Sequence, residues 1–177
     1  MGTFGNRIFR AAKLDASLYE EVEKDRGALR QAVGVVVLSS IAAGLGGISM
    51  AGLGGMLIGT VTALVGWGVW AYITYIVGTK LLPEPQTKAD YGELLRTIGF
   101  ASSPGLIRVL AIIPGLTGGV FFVTTIWMLV AMVVAVRQAL DYKSTLRAVA
   151  VCVIGFVVQA LFFALLVSIF GVPGRPA

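Results

Sequence analysis

The stretch from Gln31 to Thr79, "QAVGVVVLSSIAAGLGGISMAGLGGMLIGTVTALVGWGVWAYITYIVGT", contains no charged residue; Arg30 precedes it and Lys80 follows. An uncharged apolar run of about 18 or more residues is a transmembrane helix candidate. As one helix, 49 residues rising about 1.5 Å each would extend roughly 74 Å, and a hydrocarbon core about 30 Å thick cannot cover that even with a steep tilt. Two antiparallel spans fit, with a reversal where glycine makes it easy, near Ser49–Gly55. A soluble core able to hide this run does not fit a chain of 177 residues. The stretch reads as a membrane hairpin.

Composition extends that reading to the whole chain. Hydrophobic residues make up 57% and charged residues 13%, and mean hydropathy is +0.90, whereas ordinary globular domains are about one quarter charged. The sequence therefore predicts an all-α fold, a polytopic membrane bundle of about five transmembrane helices with an N-terminal cytoplasmic amphipathic helix. Spans are expected near 31–50, 54–79, 97–114, 119–137 and 146–170, after a basic lead over 1–30 and before a tail at 171–177. No short apolar core follows the basic start, so the opening does not read as a signal peptide.

The lead divides at Asp15. "FGNRIFRAAKL" sets Phe4, Ile8, Phe9 and Ala12 near one helical face among Arg7, Arg10 and Lys13, a pattern suited either to an anionic membrane surface or to a frayed basic tail. "DASLYEEVEKDRGALRQ" predicts a helix capped by Asp15 or Ser17, with Ser17 and Glu20 at capping-box spacing and Glu20–Lys24 as an i, i+4 pair. Past the hairpin, Pro83 and Pro85 stop the second span, and "ADYGELLRTIGFASS" resumes helical spacing until Pro104 breaks it. The uncharged run Val109–Val136 carries its own reversal at "PGLTGG" (114–119). The third span, interrupted by Arg108, is expected either to cross the bilayer or to enter it as one arm of a hairpin.

Alternating sides collect twelve Lys and Arg residues on the N-terminal side against Arg175 alone on the other, Arg108 aside. The positive-inside rule then puts the N-terminus in the cytoplasm and the C-terminus outside.

Gly55, Gly59 and Ala63 recur every four residues on the second span, as Ala43 and Gly47 do on the first. This spacing allows close helix contact, expected within the hairpin ahead of a dimer interface. Gln159 lies midway along the fifth span, where an interhelical hydrogen bond is the expected role. Trp67, Trp70, Tyr72 and Tyr75 suit an interfacial belt, and Trp127 suits the core. Arg108 is a candidate intramembrane charge for a lipid or a partner, with Asp141 or Glu93 as surface acids in reach; the competing reading is an anchor snorkelling to the interface.

The chain has no histidine, and its one cysteine, Cys152, sits in the apolar run "AVAVCVIGFVVQ". No nucleophile–base pair, carboxylate pair, phosphate loop or metal spacing occurs. Neither catalytic nor metal-binding residues are expected, nor a cofactor, a nucleic-acid partner or an enzyme activity.

Three features carry a family resemblance: "RTIGFASSPGLIRVL" (96–110), "WMLVAMVVAVRQALDYKSTLRAV" (127–149) and the five-span, N-inside plan. With the charged lead "LDASLYEEVEKDRGALRQA", the sequence resembles the Yip family, five-span membrane proteins named for association with Ypt/Rab GTPases, and in particular its bacterial members. The resemblance marks Gly99, Phe100 and Pro104 as family-motif positions, with Phe100 in place of a tyrosine. It implies a place in a bacterial cytoplasmic membrane; the long N-terminal region with an Asp-Leu-x-Gly-Pro motif that eukaryotic relatives carry has no counterpart in this sequence. The expected function is a non-catalytic membrane interaction protein, a scaffold or accessory subunit. Its partners would be the lipid bilayer, a membrane protein or a second copy, and an anionic lipid. A small-solute transporter or channel component is the alternative.

Overall fold

The computed structural model describes residues 2–46 and 48–170, the side chains of 46, 48–51, 162, 163, 166, 167, 169 and 170 apart. Gly47, the tail 171–177 and the C-terminal side of the topology lie outside the described residues. Seven α-helices follow in order: α1 (Phe4–Ala12), α2 (Ala16–Lys24), α3 (Ala28–Gly46), α4 (Ile48–Ile76), α5 (Tyr91–Ala101), α6 (Thr117–Ala139) and α7 (Thr145–Phe170). A π-helical turn, Val77–Leu81, extends α4, and a 3-10 segment, Ser103–Ile112, extends α5. Among the described residues there is no strand.

Among the described residues four segments are long and apolar enough to cross a membrane: Ala28–Leu45, Gly52–Leu81, Tyr91–Ile112 and Thr117–Ala139. The apolar part of α7, Thr145–Leu161, follows as a shorter helix among the described residues. The protein is a helical membrane bundle. The first hairpin turns where glycine was expected to allow it, with Gly52 at φ +61° interrupting the helical path. Gly115 supplies the other left-handed position, φ +84°, between the 3-10 segment and α6.

The third span differs most from the expectation. It begins at Tyr91, not near 97, and Asp90 caps it in a complete capping box with Glu93. It is also the central element, packed on α3, α4 and α6 in the bundle and on the lead helices. Of its apolar stretch 56% is buried, against 33%, 11% and 22% for the other three spans. That position explains its chemistry. A 3-10 backbone, one prolyl and three glycyl residues and Arg108 are tolerated at membrane depth only where protein or a cavity, not lipid, surrounds them.

The N-terminal lead is packed, not frayed. α1 and α2 fold back against α5, α6 and the 3-10 segment, burying Ala11, Leu18, Tyr19 and Val22 in a cluster with Ala32, Phe100 and Ala131. Asp15 caps α2 by accepting from the Ser17 backbone N–H at 3.0 Å, so Ser17 donates to the cap and does not form one. The Glu20–Lys24 pair is not among the ion pairs of the described residues. Instead α2 binds α1: Arg7, 2% exposed, holds Glu21 at 2.9 Å and Asp25 at 2.8 Å, and donates to Gln31 at 2.9 Å. Burying a guanidinium is costly unless its donors are met, and this set meets them. Its partner carboxylates Glu21 and Asp25 are held below their ordinary pKa, chiefly by hydrogen bonds from Arg10 and Arg7 respectively.

On the same side of the bundle, the loop after the π turn is stitched to the corner between α6 and α7. Arg147 donates to the Pro83 carbonyl at 2.8 Å, and Glu84 accepts from the Lys143 backbone N–H at 3.1 Å. The Tyr142 hydroxyl donates to the carbonyls of Gly78 (2.9 Å) and Leu82 (2.7 Å), partnering carbonyls at the two ends of the π turn.

Candidate functional site

Between α3, α4, the third span, α6 and α7 lies a cavity of about 620 Å³, within the usual range for small-ligand sites of about 300–1,000 Å³. Its location follows from where the helices can and cannot approach. α3 and α5 touch at Gly99, where a Cβ would come within 2.7 Å of the Ala32 Cβ and 3.3 Å of its backbone. α4 and α7 touch at Gly155, against the Trp70 ring at 3.0 Å. α3 and α4 touch at Gly44, 2.6 Å from Met56 Cγ on the same construction. α3 and the 3-10 segment also meet at Gly105, where a Cβ would collide with Ser39 Oγ, and the cavity fills the space these contacts leave.

The small residues singled out as packing positions are therefore reassigned. Ala43, Gly55, Gly59 and Ala63 all line the cavity, and a Cβ on Gly59 would meet nothing within 4 Å. They leave space between helices instead of closing a seam, and Gly44 makes the tight α3–α4 contact. Gln159 also lines the cavity, and none of the side-chain hydrogen bonds among the described residues involves its amide.

Arg108 reaches the same cavity. Its Nε donates to Thr124 Oγ1 at 3.1 Å and an Nη to Thr125 Oγ1 at 3.2 Å, and the guanidinium stands 5.2 Å from the centre of the Phe121 ring. The ion pairs among the described residues involve Arg7, Arg10 and Arg147 only. Neither surface acid offered as its partner is among these pairs, and Glu93 completes the cap of α5 instead. The cation thus has hydroxyl and aromatic neighbours and no anion beside it among the described residues.

Other polar groups converge there. The Ser40 hydroxyl bridges to Thr60 at 3.2 Å across α3 and α4. Ser39, 5% exposed, and Ser102 line the cavity without a side-chain hydrogen bond among the described residues. The remaining wall is apolar and aromatic. Trp70 stacks on Phe156 with centroids 4.4 Å apart and donates to Met132 Sδ at 3.2 Å, while Trp67 donates to the Leu95 carbonyl at 3.1 Å. Both tryptophans face the bundle interior and line the cavity. Tyr72 is exposed and meets Tyr91 edge-on. Trp127, half-buried, ties the lead to the bundle by donating to the Ala12 carbonyl at 2.8 Å.

Of the three positions marked by resemblance, Gly99 is the close contact with α3, Phe100 is fully buried under the lead helices, and Pro104 is buried at the start of the 3-10 segment. They build the scaffold of the cavity and do not line it. Ser39 and Ser102 escaped the sequence reading because a serine in a helix has many roles and only packing shows which way it faces. Cys152 is buried beside Val151 and Ala148, a small side chain in the core. Among the described residues no group of acidic or cysteine side chains could hold a metal ion.

Comparison with curated proteins and with solved structures returned no match. The family model described as the Yip1 domain matches residues 16–167, a region that takes in α2, every membrane-crossing segment and the cavity between them. The chain belongs to the Yip1 domain family.

Proposed function

We propose that this protein is a non-catalytic membrane scaffold or accessory subunit, with its N-terminus in the cytoplasm, that docks other membrane proteins. One observation carries the reading: the α1–α2 lead is locked onto the bundle, so its outer face is a shaped platform. Arg7 binds α1 to α2, Trp127 holds the end of α1, and Arg96, 7% exposed, donates to the Val22 carbonyl at 3.0 Å. That leaves Lys13, Lys24, Arg26 and Arg30 exposed on the lead, together with Phe9, which is 58% exposed with Lys13 over its ring. Four exposed cations, one of them over an exposed ring, suit an acidic partner surface.

Gentle extraction followed by mass analysis of intact complexes tests it. A stoichiometric protein partner is expected with the natural chain, and it should be lost from a Lys13→Glu, Arg26→Glu, Arg30→Glu variant that still folds. Absence of any partner from both would overturn the reading. Transport of a small solute is the second reading, and the cavity favours it. Passage of solute across vesicles containing only this protein would support that reading in place of the scaffold.

A further inference from the structure

We propose that the cavity is a binding site for an anionic phospholipid, entered sideways from the bilayer, with one acyl chain in the apolar slot and the phosphate on Arg108. The inference is independent of the scaffold reading and would survive its failure.

Three observations converge on this occupant. The first is electrostatic. Arg108 is half-buried and lines the cavity, and its named contacts are two threonine hydroxyls and a ring face. None of these neutralises it, and a cation at membrane depth is costly unless an anion or water reaches it. A guanidinium is also well shaped to bind a phosphate through two parallel donors.

The second is the wall. Trp67, Trp70, Phe156, Met128 and Met132 line the cavity, and flexible thioethers beside aromatic rings accommodate a chain of variable shape. Ser39, buried and without a hydrogen bond among the described residues, and Ser102 add hydroxyls for ester or phosphate oxygens.

The third is access. Leu129 and Phe156 on the rim are 42% and 44% exposed, and Gly59 and Thr125 are exposed beside them. The cavity opens among α4, α6 and α7 toward the lipid. A phospholipid can place one chain inside and leave the other in the bilayer. Arg108 lies four residues before the end of the 3-10 segment at Ile112, about 8 Å at roughly 2 Å per residue.

The tryptophans supply the test. Trp67 and Trp70 line the cavity, and Trp70 is only 5% exposed, so a quencher on an acyl chain reaches Trp70 far better from inside the cavity. The whole protein is placed in phosphatidylcholine vesicles, and chain-brominated phosphatidylglycerol or chain-brominated phosphatidylcholine is titrated in. A charge-assisted hydrogen-bonded contact should make phosphatidylglycerol half-quench at an about tenfold lower mole fraction. Arg108→Gln, which keeps a donor for the threonines, should bring the two lipids together. Gly59→Leu, whose side chain grows into open space, should abolish the tight phase without disturbing the fold. Equal quenching by both lipids in the natural chain would overturn the proposal, as would a preference that survives in Arg108→Gln or in Gly59→Leu. Relief of quenching by millimolar inorganic phosphate would overturn the lipid assignment in favour of a soluble oxyanion.

Discussion

Arg96 in α5 donates from Nε to the backbone carbonyl of Glu23 at the end of α2, 3.0 Å away and 73 residues distant in sequence. The contact caps α2 with a cation from the third span, where helix carbonyls lack intrahelical partners and the helix dipole favours positive charge. Replacing Arg96 by Gln should weaken docking of the lead by about 1.5–3 kcal/mol, the usual worth of a hydrogen bond to a charged group. Amide hydrogen exchange over residues 16–24 would rise in that variant and not in Arg26→Gln, which alters an exposed residue. Equal exchange in both would show that Arg96 does not hold the lead.

Glu23 itself is buried, and its carboxyl is pushed up to about 7 by that burial, then by the nearby charges of Asp141 and Glu93 and, less strongly, of Glu20, with Lys24 opposing. A carboxyl whose folded pKa lies above its unfolded value stabilises the fold at low pH and loses that contribution as pH rises. Docking of the lead should therefore weaken between about pH 4.5 and 7. The emission of Trp127, hydrogen-bonded to Ala12, reports it: a red shift across this range is expected, and Glu23→Gln should remove it.

At lower pH the sign reverses. Asp15 is held down at about 2 by hydrogen bonds from Ser17 and Arg10, and Glu21 and Asp25 are lowered as well. These groups stabilise the lead above their unfolded pKa, near 4, and the contribution is lost as pH falls through their lowered values. Trp127 emission should shift red again below about pH 4 in the natural chain. A shift of unchanged midpoint in Arg7→Met would show that the Arg7 pairs are not its origin.

Glycine substitutions should sort by what a side chain would meet. Gly99→Leu forces atoms into the Ala32 backbone, and overpacking of this kind costs about 1–3 kcal/mol or more. Gly59→Leu meets nothing within 4 Å. Thermal stability of the purified proteins should fall sharply for the first and stay close to the natural value for the second.

The proposed orientation predicts that Lys13, Lys24 and Lys143, all exposed, face the cytoplasm. Single cysteines at these positions, introduced after replacing Cys152, should resist an impermeant reagent applied outside intact cells and react once the membrane is opened. Labelling of position 143 from outside would reverse the topology.

The membrane class, the hairpin reversal near Gly52 and the helical character were determined by the sequence alone. Each is local: an uncharged run has one low-cost environment, and glycine has one special freedom, wherever the chain goes next. The third span was hardest to read because its serines, proline and arginines suit neither lipid nor water. Only its central position, wrapped by α3, α4 and α6, makes them tolerable. The same limit governed the small residues: spacing places Gly59, Ala63 and Ala43 on helix faces, but whether such a face closes on a neighbour or opens a cavity depends on how far apart other contacts hold the helices. Gly99 against Ala32 and Gly155 against Trp70 set that distance. Arg108 was visible as an unusual charge from the start; that it shares a cavity with Ser39 and Gln159 was decided by tertiary structure, because residues on different helices meet only once the bundle is packed.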